Sequence, residues 1–529
     1  MAISGQLTAN PARFAGYGAA ALAAAVLASL AMRVPTPLAA AGIAFLALLA
    51  LVALRPEMGL LLAVGLVYLN LPVIVFKYYG APQLVAAAVP LVLLAPAVAS
   101  LIARRRPLLV DHAFLLMLAF LGVVLLSSFA AVDKDLAFQW IGVYLSEGLA
   151  LYLIMVNVVR TPGTLRRLIG VLVFVGALLG ALSIYQEVTG SYEQTFGELA
   201  QRNFGRETED EVAWDAYQSP HERALVRLVH RAMGPLGDPN RYAQILLVLL
   251  PFAWWQIRHV RRLPGKLAAT ACAILILGGI MLTYSRGAFL ALAILLPLAL
   301  VTRFLRWRDL LWVGAGLGVA VSAVAPGYLQ RMNTLRGLAG LYSSTANAEP
   351  DAVQRGRATE MLGAAGVFLD HPLIGVGPSQ YSPIYSVDYM NRGDFKRRIR
   401  ETRRAHSLYL ELAAETGLVG LAAFLSVAGI LVVRLGCAAR RLRRTQSRLR
   451  STAGTLWRTA AARADLGLAF VIALAGYFAT GLFLHFSYQR YYWLLVALAG
   501  AAVQVLERGV EPPARPVHTG DAGGTATDG

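Results

Sequence analysis

"LAATACAILILGGIMLTYSRGAFLALAILLPLAL", residues 267–300, is two apolar runs joined through a single arginine, Arg286. An α-helix rises 1.5 Å per residue, so about 20 apolar residues cross a hydrocarbon core roughly 30 Å thick. Lipid offers no hydrogen-bond partners, and a chain crossing it satisfies its own backbone by forming helices. An arginine left in hydrocarbon is costly, so Arg286 belongs in a tight turn at an interface or in a protein-lined cavity. The stretch therefore reads as a pair of membrane helices with a polar turn between them.

The same pattern fills the chain. Of its 529 residues 57% are hydrophobic and only 15% charged, against roughly 25% charged in soluble domains; the mean hydropathy is +0.59. The expected fold is all-α, a polytopic helical integral membrane protein with about 12–14 transmembrane helices and large extracytoplasmic loops containing short amphipathic helices. Candidate spans are 14–32, 37–54, 58–76, 82–103, 112–131, 139–159, 165–185, 241–257, 267–283, 287–302, 310–326, 407–433, 464–484 and 490–506. The polar–apolar alternation of a β-barrel is absent. The first run follows Arg13 and is close to full spanning length, which favours a membrane helix over a secretory signal. Two cysteines, Cys272 and Cys437, support neither a disulfide framework nor a cysteine metal site.

Five short basic connectors, 103–107, 160–167, 258–266, 303–309 and 434–450, fall on one side when the spans between them are counted, and positive charge marks that side as cytoplasmic. The chain then divides into N-terminal transmembrane helices (1–185), an extracytoplasmic loop (186–240), helices around the SRG turn (241–326), a large periplasmic loop (327–406) and C-terminal helices (407–510) with a basic cytoplasmic segment at 434–463. A proline- and glycine-rich tail, 511–529, reads as disordered. The segment at 434–463 is expected to adhere to anionic membrane lipids. Both long loops are rich in arginine, which binds phosphate through paired hydrogen bonds. A solvated face is the plainer account of either one alone. No nucleic-acid partner and no cofactor are expected.

Four places could carry chemistry. Arg286 lies between Ser285 and Gly287, where a hydroxyl and backbone N–H groups could approach an oxyanion, though snorkelling at a hairpin tip explains it as well. "GPLGDPNRYAQ" (234–244) brings Asn240 and Arg241 to a helix start, where Asp238 or Asn240 could simply be the N-cap. Residues 353–369 have apolar positions at helical spacing (Met361, Leu362, Ala365, Phe368, Leu369), suiting an amphipathic helix on the membrane surface, with Arg357 near its start. The GVGP that follows is weak evidence for a phosphate loop. Finally, His406 opens "HSLYLELAAETGLVGLAAFL" with Arg403 and Arg404 before it and Tyr409 after it. A neutral imidazole can take a proton from a hydroxyl, although a lone interfacial histidine is more often structural. No histidine pair has metal-ligand spacing, so no metal site is expected.

"LTYSRGAFLALA", "FLDHPLIGVGPSQY" and "AHSLYLELAAETGLVGLAAFL" resemble signature blocks of the bacterial O-antigen ligase and O-antigen polymerase superfamily, most clearly over 267–433. "GDPNRYAQILL" and "QRYYWLLVALAG" (489–500) are also similar to family positions. The resemblance implies a metal-independent membrane glycosyltransferase at the periplasmic face of the bacterial inner membrane. Its donor would be an undecaprenyl-diphosphate-linked glycan and its acceptor a glycan or lipid A-core. It implies His406 as the catalytic base, Arg286, Arg357 and Arg241 as diphosphate-binding residues, and Asn240, Tyr409 and Arg490 as substrate-binding residues. Ser407 stands where the family usually has asparagine, and the N-terminal half is longer than in compact members. Three other functions stay open: a polymerase, a protein O-oligosaccharyltransferase and, in a different class, a lipid-linked glycan transporter. Glu147 is among the few ionisable residues well inside an expected span.

Overall fold

The computed structural model describes residues 56–71, 73, 74, 107–191, 231–323, 328–333, 335, 352–392, 399–449, 456–486 and 489–508, with a few positions between 94 and 105. The expected spans at 14–32 and 37–54, most of 82–103, and the tail at 511–529 lie outside these residues.

The described residues are helical, with no strand among them. In chain order the main helices are α1 (Pro56–Tyr68), α2 (His112–Ser128), α3 (Lys134–Val158), α4 (Pro162–Thr189), α5 (Pro239–His259), α6 (Leu263–Leu282), α7 (Arg286–Val301), α8 (Trp307–Ala323), α9 (Ala352–Asp370), α10 (Leu408–Leu449), α11 (Leu456–Gly481) and α12 (Gln489–Arg508). Among the described residues, five segments are both long and apolar enough to cross a membrane: Lys134–Val158, Pro162–Thr189, Leu263–Leu282, Leu408–Ser447 and Arg458–Gly481. The protein is thus an all-α polytopic membrane protein.

Helix α12 is enclosed on nearly every side, from Tyr491 to Leu506, and is flanked by α3, α10 and α11. Outer helices leave large apolar side chains uncovered instead, among them Leu118, Leu126, Leu311 and Trp312. A helix that is apolar all round is satisfied either by protein or by lipid, and the two kinds of helix here use one each. Close approach replaces hydrophobic drive between membrane helices. Where α4 meets α6, a Cβ on Gly180 would stand 2.1 Å from the Leu275 carbonyl oxygen, so glycine is what allows the contact.

Polar contacts gather the basic connectors at one end of the bundle. Asp465 on α11 meets His259 (3.0 Å), Arg443 (3.2 Å) and Arg258 (3.7 Å). Arg258 also donates to the Phe304 carbonyl and Arg443 to that of Thr302. Arg434 pairs with Glu507 and lies 3.9 Å from Asp111, while Arg160 donates to the Pro107 carbonyl.

Helix α10 is longer than its apolar span and is broken at Gly417 (φ 67, ψ −172). This region of backbone space is essentially open to glycine alone. Beyond the break α10 runs on for about 30 residues, roughly 45 Å, which exceeds a 30 Å hydrocarbon core. Its basic end packs against α11 through Leu435, Ala438, Ala439 and Leu442. A Cβ on Gly417 would lie 2.1 Å from the Leu373 carbonyl oxygen. Gly417→Ala is expected to lower stability by roughly 2–5 kcal/mol, read as a lower melting midpoint of the purified protein. Gly429→Ala, on the same helix with nothing within 4 Å of its Cβ, should be neutral or mildly stabilising.

Candidate active site

The break at Gly417 builds the floor of the site. A helix that stops leaves carbonyls without partners. Here those of Ala414 and Glu415 accept from Val376 N (3.0 Å) and Gly377 N (2.9 Å), while Leu418 N donates to the Pro372 carbonyl (2.8 Å). The GVGP segment is thus committed to capping α10, with those N–H groups already used. Ser127 Oγ adds a bond to the Glu415 carbonyl (2.7 Å), and Gln380 clasps the Asp133 backbone at 2.9 and 2.8 Å. Together they tie the outer ends of α2 and α3 to the same loop.

Helix α9 lies across this floor. Gly356, Glu360, Gly363, Ala364 and Val367 form its buried stripe. Leu362 (59% exposed) and Leu369 (73% exposed) point away. The apolar positions read from the sequence thus include the helix's outward face, as suits a surface helix touching lipid, and the small residues and one carboxylate face the protein.

That carboxylate, Glu360, stands 3.5 Å from His406 Nε2 and 3.3 Å from an Arg403 nitrogen. It is almost fully buried, whereas the His406 side chain keeps 30% of its exposure. His406 has a left-handed backbone (φ 45), uncommon for any residue with a side chain. The turn sets its ring edge-on to that of His485, with centroids 5.4 Å apart. His485 belongs to the connector between α11 and α12, whose position Arg241 fixes by donating to the His485 carbonyl. Arg404 is held against Glu411 and reaches the Phe486 carbonyl at 3.4 Å. Burial, then Arg357, Arg241, Arg403 and Arg404, hold the His406 imidazole well below its ordinary pKa. His485 is lowered by burial and by Arg404, Arg241, His406 and Arg357. Both rings are therefore neutral at pH 7.

Asn240, Ser285, Gly287, Arg357, Thr480 and Phe483 line a small, partly polar cleft. The SRG turn is locked to the start of α5. Asn240 Oδ1 accepts from Ser285 Oγ (3.0 Å) and Arg231 Nη2 (2.8 Å), and Arg231 also donates to the Thr283 carbonyl. Asp238, not Asn240, is the N-cap of α5. Ser285 caps α7, whose first residue is the half-buried Arg286. Arg357 both lines the cleft and acts on the histidines, so it joins the two halves of the site.

The residue range that carries most of this geometry, 271–425, matches the family model described as O-antigen ligase. That match supports a kinship of this region with the O-antigen ligase and polymerase superfamily. A comparison with curated proteins found no match. The O-antigen ligase region holds Arg286, Arg357, Glu360 and His406, while Arg241, His485 and Arg490 lie outside it.

Of the residues singled out from the sequence, the fold brings His406, Arg357, Arg241 and Asn240 together, with Arg286 at the cleft's edge. Tyr409 turns elsewhere, donating to the Phe478 carbonyl (2.8 Å). Arg490 reaches Asn70 Oδ1 (3.3 Å) and stands 4.0 Å from Glu147. Glu360 and His485 stand in no sequence motif that marks them as site residues. Only one signal for Glu360 was available, a carboxylate three positions after Arg357 and so on a neighbouring part of the same helix face.

Proposed function

We propose that the protein transfers a glycan from an undecaprenyl-diphosphate lipid to an acceptor hydroxyl at the periplasmic face, in surface-polysaccharide assembly. The observation that carries this reading is a neutral histidine ringed by four arginines, one of which lines the cleft, in a region that matches a family of O-antigen ligases. The acceptor oxygen attacks the anomeric carbon as its proton passes to His406. The bond from that carbon to the diphosphate oxygen breaks, and the lipid diphosphate leaves. One displacement inverts the anomeric centre.

The protein's task is to meet charge where it develops, which fixed cations do without reorganising. Arg357 borders the cleft and Arg286 opens a helix whose N-terminus favours anions, so both are assigned to the diphosphate. Arg241 is buried and bonded to Gln244 and His485; it contributes field and holds the connector. Tyr409 and Arg490, turned to other partners, are assigned to the scaffold.

Lipid A-core is the acceptor we favour. Deleting the gene and sizing the accumulated glycans tests this. The expected result is long polymer stranded on the lipid carrier with bare lipid A-core. Single repeat units would indicate a polymerase, and normal lipopolysaccharide with under-glycosylated secreted proteins would overturn both.

A further inference from the structure

The neighbour of His406 with the most to say about its chemistry is Glu360, a carboxylate buried to within 4% of full enclosure. It arrives from α9, 46 positions away in sequence. Burying a carboxylate is costly unless charge and hydrogen bonds compensate it. One oxygen faces Arg403 at 3.3 Å and the other faces His406 at 3.5 Å. Arg403 is itself pinned, since its backbone N–H donates to Ser386 Oγ (3.1 Å). Tyr381 then fixes this turn of α9 by donating to the Glu360 carbonyl (2.9 Å). Nothing in that arrangement requires the second oxygen to meet an imidazole. Arg403 alone would balance the charge.

We propose that Glu360 is the positioning residue for His406: its buried carboxylate, 3.5 Å from Nε2, holds the ring on its side of the site and stabilises the imidazolium formed when the acceptor hydroxyl is deprotonated. The inference rests on the reading of His406 as the base. Nδ1 is enclosed by protein, so Nε2, on the side that Glu360 faces, is the nitrogen left to receive the acceptor's proton. A carboxylate is useful here because four cations act on the ring. Arg357, Arg241, Arg403 and Arg404 all disfavour the imidazolium, and His485 is a neutral ring. Without Glu360 the same arginines that hold the diphosphate would make His406 too weak a base. The structure separates the two demands by placing a single buried carboxylate on the histidine side.

The sign of the pH effect follows. His406 works deprotonated, so transfer falls on the acid side of its pKa. Removing the carboxylate's charge lowers that pKa further. In Glu360→Gln the acid limb of the pH–rate profile should move to lower pH, even though turnover at pH 7 falls.

The test uses purified full-length protein with an envelope lipid extract from a deletion strain as the source of donor and acceptor. Glu360→Gln should reduce kcat by roughly 10²- to 10³-fold, as for the loss of one fixed group that faces a charge developing in the transition state. KM for the donor should change by less than about threefold, because the loss concerns the transition state. Introduced into a His406→Asn background, Glu360→Gln should cause no further loss, since the two residues act as one unit. Glu360→Asp, which keeps the charge on a shorter stem, should hold the acid limb in place and recover part of kcat. Wild-type kcat and an unmoved acid limb in Glu360→Gln would overturn the proposal. So would an equal loss with and without His406, which is the mark of a purely structural carboxylate. If Glu360→Gln does not fold, Glu360→Asp decides: about a tenfold lower kcat with the acid limb held supports the role, and wild-type kcat removes it. Wild-type turnover by His406→Asn would remove the base itself. Loss there beside a wild-type Glu360→Gln would remove Glu360's role alone.

Discussion

His406→Asn is expected to abolish surface-glycan assembly while the protein still inserts and folds. Asparagine tolerates the left-handed backbone found at this position (φ 45) better than most residues, so the substitution removes the imidazole without straining the turn. Loss of a general base costs roughly 10²- to 10⁴-fold in rate. The arginines around the cleft stay in place and continue to bind the donor, so kcat should fall more than KM rises. Complementation of a deletion strain, scored against the level of protein in the membrane, measures the first part. Because the imidazole is held well below its ordinary pKa, wild-type activity should also show no acid-side loss between pH 7 and 6.5. A fall across that interval would contradict a lowered His406 pKa.

Arg357→Ala has the second large effect. Arg357 lines the cleft and also acts on both histidines, so under the proposed function it serves the diphosphate and the base together. Losing a preorganised charge at a leaving group costs about 10²- to 10³-fold. Arg357→Lys should be a partial rescue, because a point charge replaces a planar fork that grips two oxygens. An equal rate for lysine and arginine would contradict paired recognition of phosphate. Arg241→Ala should behave differently, with a loss of thermal stability accompanying the loss of rate. Its guanidinium is buried and holds the connector that carries His485.

Much of the bundle was legible in the apolar runs, because lipid leaves a chain few alternatives to helix. The end of α10 was less so. Its arginines stop an apolar span at 433, yet Leu435, Ala438, Ala439 and Leu442 continue a helical stripe that α11 covers. The break at Gly417 could not be read locally. It is stable because residues 372–377, some forty positions earlier, supply the missing hydrogen bonds.

The candidate site divides along the same line. His406, Arg286 and Arg357 stand in recognisable local motifs. Glu360 gains its meaning only from the packing of α9 against the turn at 403–406. Tyr409 illustrates the opposite error. Its spacing from His406 suggests one helical turn, but His406 precedes the helix in a left-handed turn, so the i, i+3 relation does not apply to the pair. Arg490 sits near the site in sequence terms, through its closeness to His485, yet its guanidinium faces Asn70 and Glu147.

The central claim is that the site around His406 makes and breaks glycosidic bonds. Reconstituting the purified protein in liposomes with the lipid-linked glycan and acceptor from a deletion strain, and following both glycan and lipid carrier by mass spectrometry, tests it most directly. The account predicts one undecaprenyl diphosphate released for each glycan transferred, with the wild-type protein and not with His406→Asn. Glycan that crosses the bilayer still attached to its lipid, at equal rates for both proteins, would contradict it.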